Sequence, residues 1–165
     1  MSQTQHKNET TIEADPHLPT VKVTRDFDAP RERVFRAWTE QALVEQWLGP
    51  TETEMRTETW EPRTGGGYRY SMWREGEEAA SFYGSFHEVR PHERMVQTFT
   101  WEGYPDGVSL DTTTFEDLGD GRTRVVTLSV VDTMEGRDMM VASGMEVGIN
   151  EGYAKLAALL ADDGA

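Results

Sequence analysis

Between residues 52 and 131 the chain falls into six short segments in which apolar and polar residues alternate, with turn signals between them. The segments lie near 52–60, 66–74, 80–89, 93–101, 109–117 and 122–131. The breaks are Pro62 to Gly66, Glu75-Gly76, Arg90-Pro91-His92, Gly103 to Gly107, and Gly119-Asp120-Gly121. A parallel crossover needs roughly a dozen residues or more. These gaps are too short for one, so the segments pair as antiparallel hairpins. A sheet of that size twists and curls, and its apolar face needs a cover.

The flanks supply the cover. Val21 to Phe27 alternates and adds a seventh strand ahead of the six. Asp28-Ala29-Pro30 opens a short helix with Pro30 at its first position, Glu32 in its first turn, and Val34, Phe35 and Trp38 on one face. Thr39 caps a second short helix through Leu43 and Trp47, which Gly49-Pro50 ends. From about 136 to 161 the pattern is one long amphipathic helix with the stripe Val141, Met145, Ile149, Leu156, Leu159 and Leu160. Strands and helices are segregated along the chain, which predicts an α+β fold. Residues 20–162 form one domain, residues 1–19 a flexible polar tail, and residues 163–165 a disordered C-terminus.

The long helix carries glycines at 144, 148 and 152. At a spacing of four they fall along one helix face, and each costs about 1 kcal/mol against alanine. Bare backbone three times over predicts either unusually close packing or a hollow beside the helix. A helix-pairing contact is a further use of such a ladder. Glu146 and Glu151 beside it argue against a membrane version.

Alternation sorts the sheet residues. Tyr68, Tyr70 and Met72 share one face, as do Phe82 and Phe86, and as do Met95, Gln97, Phe99 and Trp101. These larger sets are expected to face the long helix. The last strand, Val125 to Val131, is apolar on both faces and does not resolve. Aromatic rings on a concave sheet opposite bare glycines either fill the space as a solid core or leave a ligand-sized cavity.

Bulk composition removes several classes. The chain has 30 acidic against 16 basic residues, a net charge of −14, which repels phosphate backbones and anionic membrane surfaces. Neither nucleic acid nor membrane is an expected partner. There are no cysteines, so disulfides and thiolate metal sites are excluded. No apolar run approaches the roughly 20 residues of a membrane span, and Met1 to Pro19 lacks the apolar core of a signal peptide. A cytoplasmic location is expected.

Several motifs together resemble one family. They are Phe27-Asp28-Ala29-Pro30; Val34-Phe35-x-Ala37-Trp38-Thr39; Trp47-x-Gly49-Pro50; Gly66-Gly67-x-x-Tyr70-x-Met72; Phe86-x-Glu88-Val89-x-Pro91-x-Glu93-Arg94-Met95; and Ser143-Gly144-Met145-Glu146-x-Gly148 with Tyr153 and Leu156. In order and spacing they resemble the family of homologues of the activator of heat-shock-protein ATPase, within the START-like (SRPBCC) helix-grip superfamily. The resemblance spans about residues 20–161. It implies a curved seven-stranded antiparallel sheet gripping a long C-terminal helix, with a cavity between them. It fixes chemistry far less, because the superfamily includes lipid and hormone binders, polyketide cyclases and aromatases, oxygenase subunits and the chaperone activator. The activator uses an additional N-terminal domain where this chain has a short polar stretch, so co-chaperone activity is not expected. Gln97 and Asp111 stand where similar sequences carry apolar residues, which implies either a polar group on the cavity wall or a strand register shifted by one residue.

Chemistry-bearing constellations are sparse. No Gly-x-Ser-x-Gly surrounds a serine, so a hydrolytic triad is not expected. His87 and His92 are interrupted by Pro91 and make a poor metal pair. Gly65-Gly66-Gly67 lacks a following Lys-Ser/Thr and reads as a turn. Glu88, Glu102 and Asp111 are the acid/base candidates if they face the cavity.

The expectation is therefore a small hydrophobic or amphipathic ligand held in an internal cavity, without metal, cofactor or catalytic residue, in a monomer or homodimer. The expected wall is Phe35, Trp38, Trp47, Tyr70, Met72, Phe86, Phe99, Trp101, Phe115, Met140, Gly144, Met145 and Gly148. A cyclase- or aromatase-like enzyme and a protein-interaction module are the alternatives.

Overall fold

The computed structural model describes residues 8–162. Each alternating segment forms a strand, and each turn signal falls between strands. The order is β1 (Thr11–Ala14), β2 (Thr20–Phe27), α1 (Arg31–Thr39), α2 (Gln41–Trp47), β3 (Glu54–Trp60), β4 (Gly67–Arg74), β5 (Glu77–Arg90), β6 (Arg94–Trp101), β7 (Ser109–Gly119), β8 (Arg122–Val130), α3 (Met134–Ala142) and α4 (Met145–Ala161). The strands make one antiparallel sheet in the order β1-β2-β8-β7-β6-β5-β4-β3. Register shifts at Thr57/Thr59, Met72/Trp73, Phe86/Glu88 and Asp117/Gly119 bend it.

Three expectations need correction. The sheet has eight strands among the described residues, not seven, because Thr11–Ala14 pairs with β2 inside the stretch expected to be a flexible tail. Four residues are too few to show alternation, and Ile12 is the member that packs against the core. The remaining tail residues 1–7 and the C-terminal 163–165 lie outside the described residues.

The long C-terminal helix is two helices. Gly144 adopts φ +90°, which ends α3 and starts α4. A left-handed glycine closes a helix by satisfying its last carbonyls, and here the next helix begins at once. The third correction concerns caps. Pro30 stands just ahead of α1 with ψ 158°, not inside it. The cap of α2 is Glu40, while the Thr39 hydroxyl bonds back to the Phe35 carbonyl at 3.0 Å.

Apolar side chains on the concave face meet α1, α2 and α4. Phe27, Phe35, Trp38, Trp47, Phe115 and Tyr153 form one group of edge-on and tilted ring contacts, with Trp38 and Trp47 centroids 4.7 Å apart and Phe35 and Phe115 5.4 Å apart. Such ring pairs contribute about 0.5–1.5 kcal/mol beyond burial. Two indoles pin the helices to this core: Trp47 Nε1 donates to Ala37 O at 2.8 Å, and Trp60 Nε1 to Thr39 O at 2.6 Å. α4 comes closest to α2 at Gly152, where a Cβ would lie 3.0 Å from Trp47 O. By contrast α3 packs chiefly on α4, and it leaves Met139 and Val141 exposed.

Candidate functional site

The register of β6, β7 and β8 sets out the inner face. Phe115 is buried against Phe35 and Trp38 of α1, so its strand-mates Thr113, Asp111 and Ser109 point to the same concave side. Gln97 pairs with Asp111, Asp111 with Ser129, and Ser129 with Val21. A row of polar side chains therefore crosses the middle of a face otherwise built from Met95, Phe99, Phe115 and Val125. Ser109 Oγ donates to Asp111 Oδ1 at 2.7 Å, and the Thr113 and Thr127 hydroxyls lie 2.9 Å apart in the adjacent row.

Tyrosines from two other elements reach this row. On β4, the Tyr68 hydroxyl donates to Thr98 O at 2.5 Å. Tyr70 is 7% exposed, and its hydroxyl is not one of the fully buried unpaired atoms among the described residues. On α4, Tyr153 is equally buried.

Electrostatics mark these groups as one site. Burial pushes the Asp111 carboxyl above its ordinary value, with the Ser109 and Ser129 hydroxyls opposing the shift. Burial also raises Tyr68, against a hydrogen bond from Gln97, and the Asp111 charge adds to the rise. Tyr70 is raised by burial and then by Tyr68 and Asp111. Burial pushes Tyr153 up to about 12, with Thr127 and Arg25 opposing and Asp111 adding. No ion pair to Asp111 occurs among the described residues.

The expected wall residues divide. Phe35, Trp38, Trp47 and Phe115 belong to the group under the helices. Tyr70, Phe86 and Phe99 join a second aromatic group through Tyr68 and Phe82 on β4–β6, with Phe82 and Phe99 stacked at 5.1 Å. Met72 is buried, and Met140 and Met145 are half-buried against the core.

Trp101 does not face inward as expected: it is 50% exposed at the end of β6, where the strand passes into the Glu102–Val108 loop. Gly144 and Gly148 border a surface cleft of about 480 Å³, not an interior hollow. Its other lining is Pro50, Thr51, Glu52, Arg74, Val147 and Glu151, and the Pro50 ring is the nearest group to Gly148.

Two acid/base candidates are occupied elsewhere. Glu88 pairs with Arg90 at 3.1 Å and Arg94 at 3.4 Å. Glu102 makes a two-pronged contact with Arg69 at 2.8 and 2.9 Å. Asp111 is the candidate left on the inner face. His87 and His92 are exposed, and His92 sits in a turn at φ +66°. Among the described residues no cluster of three His, Cys, Asp or Glu forms a metal site. No helix there is long and apolar enough to cross a membrane.

The same helix-on-curved-sheet arrangement has known counterparts. The sequence model of a family described as "Activator of Hsp90 ATPase homolog 1-like protein" matches residues 28–161. The chain belongs to this family. A crystal structure of a Rhodobacter sphaeroides protein is similar at 26% identity and a TM-score of 0.83, covering 93% of this chain and 99% of that one. A solution structure of an Arthrobacter aurescens protein is likewise 26% identical with a TM-score of 0.83, over 92% and 91% of the two chains. The crystal structure of the AHSA1 protein from Silicibacter pomeroyi shares the fold at 21% identity, with a TM-score of 0.72 over 86% of this chain and 97% of that one. None of the curated proteins compared with the chain matches it. Membership in this activator-homologue family places the helix-grip fold beyond question and leaves the chemistry to the residues.

Sequence reasoning did not nominate Ser109, Ser129, Tyr68, Phe82 or Tyr153 for the site. The signal was available for the first two. Each is two residues, or one strand pairing, from Asp111, and alternation puts them on its face.

Proposed function

We propose that the chain binds a small amphipathic molecule between the concave face of the sheet and the α3–α4 pair. The observation that carries this reading is Asp111, an acid on the inner face whose neighbours are hydroxyls and aromatic rings. Burying such a group costs free energy unless it is fully paired. A residue chosen for stability alone would be apolar there, so a polar side chain kept on this face is best explained by a ligand. The rings of Tyr70, Phe82 and Phe99 supply the apolar wall, and Gln97, Asp111 and Ser129 the polar end. A ligand burying about 300 Å² of apolar surface gains roughly 7 kcal/mol before ordering costs. The poorly packed α3, with Met139 and Val141 exposed, supports a route of entry by local opening.

Native mass spectrometry of freshly purified protein tests this reading, followed by thermal-shift screening with aromatic and alkyl ligands. A retained small molecule, or stabilisation that weakens in Asp111→Asn, is the expected result. No retained mass and no stabilisation by any ligand would overturn it.

A second reading, a cyclase- or aromatase-like enzyme, is favoured by one observation. The same carboxyl is raised toward its protonated form beside two tyrosines, as a buried general acid would be. It predicts turnover of an aromatic polyketide-type substrate that Asp111→Asn abolishes while binding persists.

A further inference from the structure

We propose that the polar end of this site selects an organic cation, so that the molecule bound is an apolar amine held by Asp111. This rests on the binding reading above and narrows it. Asp111 lies midway along the row Gln97–Asp111–Ser129, on a strand face whose next members are Ser109 and Thr113. An ionised carboxylate offers about four acceptor positions. The side-chain donors facing it are the hydroxyls of Ser109, at 2.7 Å, and Ser129. The carboxylate therefore has acceptor capacity to spare and no counter-charge in an ion pair among the described residues.

The neighbouring polar side chains complete the site. The Tyr70 side chain is 7% exposed, and its hydroxyl, which is not one of the fully buried unpaired atoms among the described residues, keeps some contact with solvent on this face. Gln97 is the cross-strand partner of Asp111 and adds a further polar side chain to the row. An ammonium brings three donors and a positive charge, which suits a carboxylate that makes no ion pair among the described residues.

The surroundings suit a cation as well. Tyr68, Tyr70, Phe82 and Phe99 make a continuous run of ring contacts at centroid distances of 5.1 to 6.1 Å. Ring faces attract a desolvated cation. The net charge of −14 raises the local concentration of cations and repels anions, so a fatty acid is disfavoured at this site. Asp111 retains some accessible surface, so a head group can reach it.

The test uses three molecules that share a phenethyl body: phenethylamine, phenethyl alcohol and hydrocinnamate. Each is titrated into the full chain at neutral pH and followed by protein NMR shifts. The expected order is amine, alcohol, then carboxylate, with the amine at least about tenfold tighter than the alcohol. In Asp111→Asn the amine and alcohol should converge, while Tyr70→Phe should weaken the amine less.

Alcohol binding as tight as amine, or tighter, overturns the cation assignment and leaves the binding reading standing. Failure of all three to bind the folded chain overturns both. The wild-type order is decisive by itself, so a variant that does not fold leaves the test intact.

Discussion

Arg137 Nη1 lies 2.7 Å from the carbonyl oxygen of Asp15, and the same nitrogen is 3.0 Å from both Leu18 O and Thr20 O. One guanidinium on α3 thus gathers the turn between β1 and β2. Its Nε is 3.0 Å from Asp138. Arg137 is the buried residue of α3 among the described residues, so the helix owes its placement to this contact more than to apolar packing. Removing the side chain takes a charged donor from all three carbonyls; Leu18 O and Thr20 O keep backbone donors, and Asp15 O loses its partner. Arg137→Ala should cost about 1.5–3 kcal/mol in chemical denaturation, the contribution of hydrogen bonds to a charged group. Amide exchange should rise in residues 15–20 and in α3 before the sheet responds. Uniform acceleration across all strands would contradict this local role.

The three glycines at 144, 148 and 152 should respond to alanine in different ways, although their spacing makes them look equivalent. Gly144 sits at φ +90°, where a Cβ is strained whatever the space around it, so Gly144→Ala should destabilise by about 1 kcal/mol. At Gly148 a Cβ meets the Pro50 ring at an ordinary 3.7 Å. Gly148→Ala should therefore stabilise by up to about 1 kcal/mol through helix propensity. At Gly152 the Cβ would come within 3.0 Å of a main-chain oxygen at the end of α2, which cannot give way cheaply. Gly152→Ala should lose more than the helix gains. Thermal melts of the three variants check the order, and equal effects at all three positions would refute it.

That contrast also shows how far the sequence could be read. The strands from β2 to β8 were legible because each has enough residues to alternate and a turn signal at each end. β1 was not, since one isoleucine in four residues carries no period. The break in the C-terminal helix was hidden for a different reason. Spacing by four continues through a left-handed glycine unchanged, and only the backbone torsion distinguishes a ladder from a corner. Asp111 was legible as a polar departure from similar sequences, while the register of residues 109–131, and so its face, was not. Its partners Ser109 and Ser129 were less so, because serine in a strand reads as solvent-facing, and Val125 to Val131 shows apolar residues on both faces. In the structure Val125 is buried and Val130 exposed, which puts Ser129 inside.

The indole of Trp47 should matter through its nitrogen as well as its bulk. Nε1 donates to Ala37 O at 2.8 Å inside the core, joining α2 to α1, while the ring packs on Trp38 and Tyr153. Trp47→Phe keeps much of the apolar contact but leaves that carbonyl unpaired. A loss of about 2–4 kcal/mol is expected, from the orphaned acceptor together with the smaller ring. A loss under about 1 kcal/mol in urea unfolding would show that water or a neighbour replaces the indole nitrogen.

Asp111 makes a prediction in pH. Burial raises its carboxyl above the ordinary 3.8 in the folded chain. Between the unfolded and folded values the native state holds the extra proton, so stability falls as pH rises through that window. The penalty is complete above the folded value and absent below about 3.8. The groups facing Asp111 do not obscure this. Tyr68 and Tyr70 from β4 and Tyr153 from α4 are all raised and stay neutral, and Arg25, whose charge acts on Tyr153, keeps that charge throughout. Asp111→Asn removes the titration while keeping the shape. The variant should melt higher than wild type at neutral pH, and the gap should shrink as pH falls toward about 4, where the native carboxyl takes up its proton. Melting curves of both proteins from neutral to acid pH measure it. A constant gap, or a variant less stable at neutral pH, would show that the carboxylate is satisfied inside the folded chain and needs no ligand to pair it.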